Sequence, residues 1–289
     1  MTRIAFSTVA CPDITLERVA RDAAAFGFQG VELRTLGPAG AEFANDPALT
    51  SPEKLHRLFH DAGVTPLGLA SGASFCAPVL PPVLGYVIGE YHKPVAYAKS
   101  VIDLAARLAL PYVRVFAFEP PEQSARGRRQ ARRRIVDRLR LAADAAHNTG
   151  VRLLLENGGA FPTARDIASI IDDVASNDLA ACYSILPATQ AGEDPAEAVS
   201  ILGYKLQTAR IKDIKDNTPC PLGEGSLPCR AFVEAVRSAP DCRWLIVEWD
   251  RAWLPNLASH ADVLPHAAKR CTEWLTGNQA NLRIATAAR

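Results

Sequence analysis

Short apolar runs along the chain alternate with longer segments whose apolar positions recur every three to four residues. The runs "RIAFST" (3–8), "GVELR" (30–34), "TPLGLAS" (65–71) and "YVRVFAF" (112–118) read as buried strands. So do "RLLLEN" (152–157), "AACYSI" (180–185), "TARIKDI" (208–214) and "WLIVEWD" (244–250). A helical segment follows each. In "TLERVARDAAAFG" (15–27), Thr15 supplies a cap and Gly27 a stop. In "SPEKLHRLFHDAG" (51–63), Ser51 caps, Pro52 takes the first helical position and Gly63 closes. The same form recurs from Thr163 (163–175), over 193–203 and over 229–239.

Eight strands, each followed by a helix, predict an α/β chain folded as a single (β/α)8 TIM barrel, one domain over residues 1–289. Connections of this length require parallel strands. A doubly wound sheet is the weaker reading, because no G-x-G-x-x-G opens a helix. The proline-rich insert at 77–94 reads as a loop over the C-terminal face of the strands.

Composition narrows the class. A 48% hydrophobic content provides for a large core, and a net charge of +1 gives no pull toward nucleic acid or membrane. The seven cysteines show no CxxC pairing, which predicts reduced thiols and a cytoplasmic location. The N-terminus enters its first strand without a signal peptide. The longest apolar stretch, 77–89, is broken by prolines and too short to span a bilayer. The basic run "ARGRRQARRRIVDRLR" (125–140) reads as the solvated face of a helix.

Two strand ends carry the chemistry. "LLLEN" meets Glu156 and "LIVEWD" meets Glu248, and a carboxylate ending a buried run needs a partner. Side-chain alternation sends Glu32, Arg34, Arg114, Glu156, Ser184, Arg210, Lys212 and Glu248 inward at the end where barrels do their chemistry.

The ordered motifs "GFQGVELR", "LPYVRVF", "VRLLLEN", "GEDPAEAV", "RIKDIKD", "PLGEGSLP" and "IVEWDRAW" resemble the xylose isomerase-like TIM barrels. That group includes sugar-phosphate isomerases and epimerases and, more distantly, the endonuclease IV group. The resemblance covers nearly the whole chain. It implies one divalent ion held by Glu, Asp, His and Glu at the ends of strands five to eight, with the glutamates moving a proton beside a carbonyl. Glu156 and Glu248 match the two glutamates. Ser184 stands where the aspartate is usual and Pro187 three residues later, and Arg210 stands in the histidine's place.

Serine is a poor neutral ligand, and an arginine has no lone pair to offer a metal. The expectation is therefore no bound metal or other cofactor, with the Arg210 guanidinium bridging or neighbouring Glu156 and Glu248. In the other reading, Glu32 or Asp213 completes a rearranged metal site. Three glutamates against Arg34, Arg114, Arg210 and Lys212 leave one positive charge over, which leans toward an anionic small-molecule ligand.

Two functions follow. One is an isomerase or epimerase acting on a small sugar, polyol or keto-acid, with Glu156 and Glu248 exchanging a proton and Arg210 and Lys212 stabilising the enediolate. The other is a barrel without chemistry that binds a small molecule in a binding or regulatory role. An endonuclease is disfavoured, since none of the six histidines falls at a strand end. No nucleic acid or membrane partner is expected, and the resemblance suggests a monomer or homodimer.

Other residues carry smaller expectations. His147 reads as a helix-terminal or surface residue, and Cys182 as a small buried hydrophobe. Trp249 and Trp253 are candidates to wall the pocket, Tyr91 and His92 to form part of a lid. "PLGEGSLP" (221–228) resembles a loop that closes near the substrate.

Overall fold

The computed structural model describes residues 1–34, 51–77, 90–117 and 124–277. The strands are β1 (Arg3–Ser7), β2 (Gly30–Arg34), β3 (Thr65–Ser74), β4 (Tyr112–Phe116), β5 (Arg152–Glu156), β6 (Leu179–Ser184), β7 (Leu206–Ile211), β8 (Asp213–Lys215), β9 (Thr218–Cys220) and β10 (Trp244–Val247). All but β8 and β9 form one closed parallel barrel in the order β1-β10-β7-β6-β5-β4-β3-β2, and β2 pairs with β1 to complete the ring. The expected TIM barrel is the observed fold.

Helices α1 (Leu16–Phe26), α2 (Pro52–Asp61), α3 (Lys93–Arg107), α4 (Ala125–Ala146), α5 (Ala164–Val174), α6 (Ile185–Gln190), α7 (Pro195–Leu202), α8 (Cys229–Ser238) and α9 (His260–Thr276) surround it. Their starts follow the side-chain chemistry. Thr15 accepts from the Arg18 amide and Ser51 from the Lys54 amide, while Thr163 and Asp166 form a reciprocal capping box. No helix among the described residues is long and apolar enough to cross a membrane.

Two apolar layers result. The larger lies between the strands' outer face and the helices. The smaller fills the barrel with Leu67, Tyr112, Leu154, Cys182, Trp244, Ile246 and two alanines. Cys182 is the buried hydrophobe its position predicts, and burial pushes its thiol far above the ordinary value. Tyr112 fits only because Gly68 faces it: a Cβ there would lie 2.5 Å from the ring.

Three expectations change. The alternation in "TARIKDI" breaks after Ile211, and Asp213 opens an antiparallel hairpin, β8–β9, outside the barrel. The basic run does lie on α4, yet Arg138 is fully buried, donating to the carbonyls of Tyr91, Phe75 and Ala77. Tyr91 stacks on that guanidinium, 4.9 Å from ring centroid to Cζ, and neither it nor His92 lines the strand-end cavity. Most of the proline-rich insert (78–89) lies outside the described residues. His147 is the exposed C-cap of α4, 2.9 Å from Asp178.

Candidate functional site

At the C-terminal ends of the strands is a cavity of about 580 Å³. Arg34, Arg114, Glu156, Ser184, Lys212 and Glu248 line it, joined by Asp250 and an apolar wall that includes Phe116 and Trp253. Glu32 and Arg210 lie beneath it, both fully buried. Alternation thus brings all eight sequence-predicted residues to one place. Lys212 and Glu248 sit one residue past their strands rather than within them.

Arg210 holds the centre. One terminal nitrogen donates to Glu32 and the other to Glu248, while Nε lies 3.6 Å from Glu156 Oε2. The bridge therefore joins Glu32 to Glu248, with Glu156 as a neighbour whose closer partner is Arg114. Tyr112 donates its hydroxyl to Glu32 Oε1 at 3.1 Å. Lys212 Nζ donates to Asp250 at 2.8 and 3.0 Å and lies 3.5 Å from Glu248 Oε2. Asn157 fastens two strand ends, accepting from the Ser184 amide at 2.6 Å and donating to the Ser184 carbonyl at 3.0 Å.

Asp250 and Tyr112 were missed in the sequence. Their signal was alternation carried two residues beyond Glu248 and two before Arg114. Asp250 also removes the expected surplus of positive charge: Glu32, Glu156, Glu248 and Asp250 now face Arg34, Arg114, Arg210 and Lys212. The balance leaves one local exception. Arg34 has no carboxylate partner among the described residues; its Nη1 donates to the Ser71 carbonyl at 3.0 Å, and its Cζ stands 5.3 Å from the Trp253 ring centroid. Burial, with Arg114 beside it, pulls Arg34 down to about 10. Trp253 walls the pocket and is 55% exposed, whereas Trp249 belongs to the outer core and donates to the Ala258 carbonyl.

The Glu248 carboxyl is pushed up by burial, but the charges of Arg210, Lys212 and Arg114 outweigh that and hold it well below the usual carboxylate range. Burial alone would lower Lys212, yet Glu248 and Asp250 hold it above its ordinary value, so it is a fixed cation. A depressed folded-state value means that the ion pair's contribution is complete above the unfolded glutamate value, about 4.3, and is lost as pH falls from there toward the folded value. The urea midpoint should thus fall more steeply between about pH 5 and pH 3 in the wild type than in Glu248→Gln. Parallel profiles would remove Glu248 from this role.

Asp213 is engaged by the chain's own backbone. It is 1% exposed, and its oxygens accept from the amides of Ile214, Gly223, Gly225 and Leu227. The 221–228 loop is folded round it, and none of its residues lines the cavity; Leu222 instead accepts from His266 of α9 at 3.0 Å.

With this geometry in place, the chain can be set beside known proteins. Residues 20–273 match the model of the xylose isomerase-like TIM barrel, and the protein belongs to that family. A search of curated sequences finds no significant match. The fold is similar to that of an L-ribulose 3-epimerase (17% identity, 100% of this chain and 99% of that one, TM-score 0.76). It also resembles the IolI protein solved with a zinc atom (17% identity, 95% and 98%, TM-score 0.72). A third likeness is to D-psicose 3-epimerase from Clostridium cellulolyticum H10, solved with D-tagatose (14% identity, 95% and 98%, TM-score 0.71).

A divalent ion needs several oxygen or nitrogen donors free to face one centre. The described residues do not fit one. Among the described residues no three His, Cys, Asp or Glu side chains are arranged to hold a metal, and a guanidinium lies between the glutamates.

Proposed function

We propose that this barrel binds a small polyhydroxylated acid in the pocket of a sugar isomerase and epimerase fold, without metal-assisted proton transfer. The observation that carries this reading is the position of Arg210, whose guanidinium engages Glu32 and Glu248 while standing beside Glu156. A general base works best when its affinity for protons is near the working pH, and an ion-paired carboxylate is driven the other way. Arg34, under the exposed Trp253 ring and without a carboxylate partner among the described residues, is the natural seat for a ligand's acid group. Hydroxyls find Ser184, Lys212 and Asp250 along the same wall.

A second reading keeps the chemistry. Glu156 and Glu248 both line the cavity, on β5 and just after β10, three places apart around the barrel. Two bases so placed flank a substrate, as a metal-independent epimerase would require.

Metal analysis and thermal-shift titration separate these from a metal enzyme. Manganese, magnesium, cobalt and zinc should leave the melting temperature unchanged. Aldonic or keto acids should raise it, and less so in Arg34→Ala. One tightly held ion, lost on Glu156→Ala, would overturn the proposal. Solvent deuterium entering a bound ketose or keto acid at the carbon next to its carbonyl would select the second reading.

A further inference from the structure

The opposite mouth of the barrel holds a second cavity, of about 670 Å³. Its floor is apolar and aromatic, built from the inner-barrel residues Leu67, Tyr112, Leu154 and Trp244. Its rim carries Arg3, Arg152 and Arg243, all exposed. Arg3 and Arg243 are neighbours, joined by a backbone hydrogen bond of 2.9 Å, and the Arg3 Cζ rests 3.9 Å from the Trp244 ring centroid. Arg152 opens β5, opposite β1 in the strand order, so the guanidiniums flank the mouth from both sides.

This end of a TIM barrel ordinarily serves stability. Here none of the three arginines has an ion-pair partner among the described residues. The carboxylate on the cavity wall, Asp178, is engaged by His147 at 2.9 Å. His56, also on the wall, is held to the Leu108 carbonyl at 2.8 Å. Three guanidiniums against Asp178 leave two positive charges.

A second observation points to a ligand. Thr208 lines the cavity and is only 2% exposed, yet its Oγ1 has no hydrogen-bond partner. It lies two residues before Arg210 on β7, so alternation sends it inward with that side chain. A buried hydroxyl left without a partner is unfavourable, and a ligand oxygen in the cavity would supply one.

We infer that the N-terminal mouth of the barrel is a binding site for a phosphate monoester with an apolar body. The phosphate dianion matches the excess of two charges and the guanidinium geometry, and the organic group covers Trp244 and Leu154. Its lining has no residue in common with that of the pocket at the other mouth, although Tyr112 on its floor donates to Glu32 beneath that pocket.

Calorimetry with phenyl phosphate, in a buffer free of phosphate, tests it. Saturable binding at one site is expected, tighter than that of inorganic phosphate and of benzoate. Arg152→Ala and Arg243→Ala should each weaken it about tenfold, the scale of a lost charged hydrogen bond. Both side chains are exposed, so thermal midpoints should stay at the wild-type value and confirm intact folding. Thr208→Val should weaken binding by a smaller factor, and Arg34→Ala should leave it unchanged. No saturable binding, benzoate bound as tightly as phenyl phosphate, or loss in Arg34→Ala with retention in Arg152→Ala would each overturn the inference.

Discussion

Replacing Arg210 with methionine should lower stability by about 3–5 kcal/mol, the range for breaking a buried ion pair by removing one partner. For a chain of this size that is a fall in melting temperature of roughly 6–20 °C. The size follows from what remains. Glu32 is fully buried, Glu156 is 8% exposed and Glu248 stands beside them, so three carboxylates would lose their shared cation in a site with little access to water. Arg114 and Lys212 still face Glu156 and Glu248, whereas among the described residues Glu32 keeps the Tyr112 hydroxyl, with the charges of Arg34 and Arg114 further off. Arg210→Lys should fall between the two, because one ammonium cannot match a fork that donates in two directions. Adding Glu32→Gln to Arg210→Met should recover part of the loss, and a double-mutant cycle would measure the coupling. A loss below about 1 kcal/mol in the single variant would mean that Arg210 does not compensate these carboxylates.

What the sequence made legible follows from two periods. The eight apolar runs, with caps at Thr15, Ser51 and Thr163, fixed the barrel because each cap and stop is a local matter. The inward set was legible because alternation has a period of two and does not depend on which strands pair. Partnerships were harder. Arg210 reaches Glu32 across the barrel interior, from β7 to β2, three places apart around the wall. Nothing within either strand encodes that meeting. Strand ends were also opaque: nothing in "RIKDIKD" marks where the backbone leaves the barrel and turns into the β8–β9 hairpin. Arg138 was hidden for a different reason. The other arginines of the basic run are exposed or half-buried, and the carbonyls of Phe75, Ala77 and Tyr91, far away in sequence, set Arg138 apart.

Asp213→Ala should lower stability by about 2–4 kcal/mol, since a buried charged acceptor is withdrawn from several donors at once. Its two oxygens serve four backbone amides, at distances from 2.9 to 3.1 Å. Those of Gly223, Gly225 and Leu227 belong to a loop also tied by the Ser226 amide to the Ile214 carbonyl and by His266 to the Leu222 carbonyl. The approach is so close that a Cβ on Gly225 would lie 2.2 Å from Asp213 Oδ1, so the glycine belongs to the same device as the carboxylate. Asp213→Asn should recover little, because its amide nitrogen would present hydrogens to amides that need an acceptor. Amide hydrogen exchange should rise at Gly223, Gly225 and Leu227 while Gly30–Arg34 on the far side of the barrel stays protected. The position admits two readings in a family whose relatives include a protein solved with zinc. If Asp213 were a metal ligand, its loss would be felt as lost ion binding, with loop exchange unchanged. If it is the acceptor about which the loop folds, added manganese or zinc would restore nothing, and exchange of the loop amides alone would report the substitution.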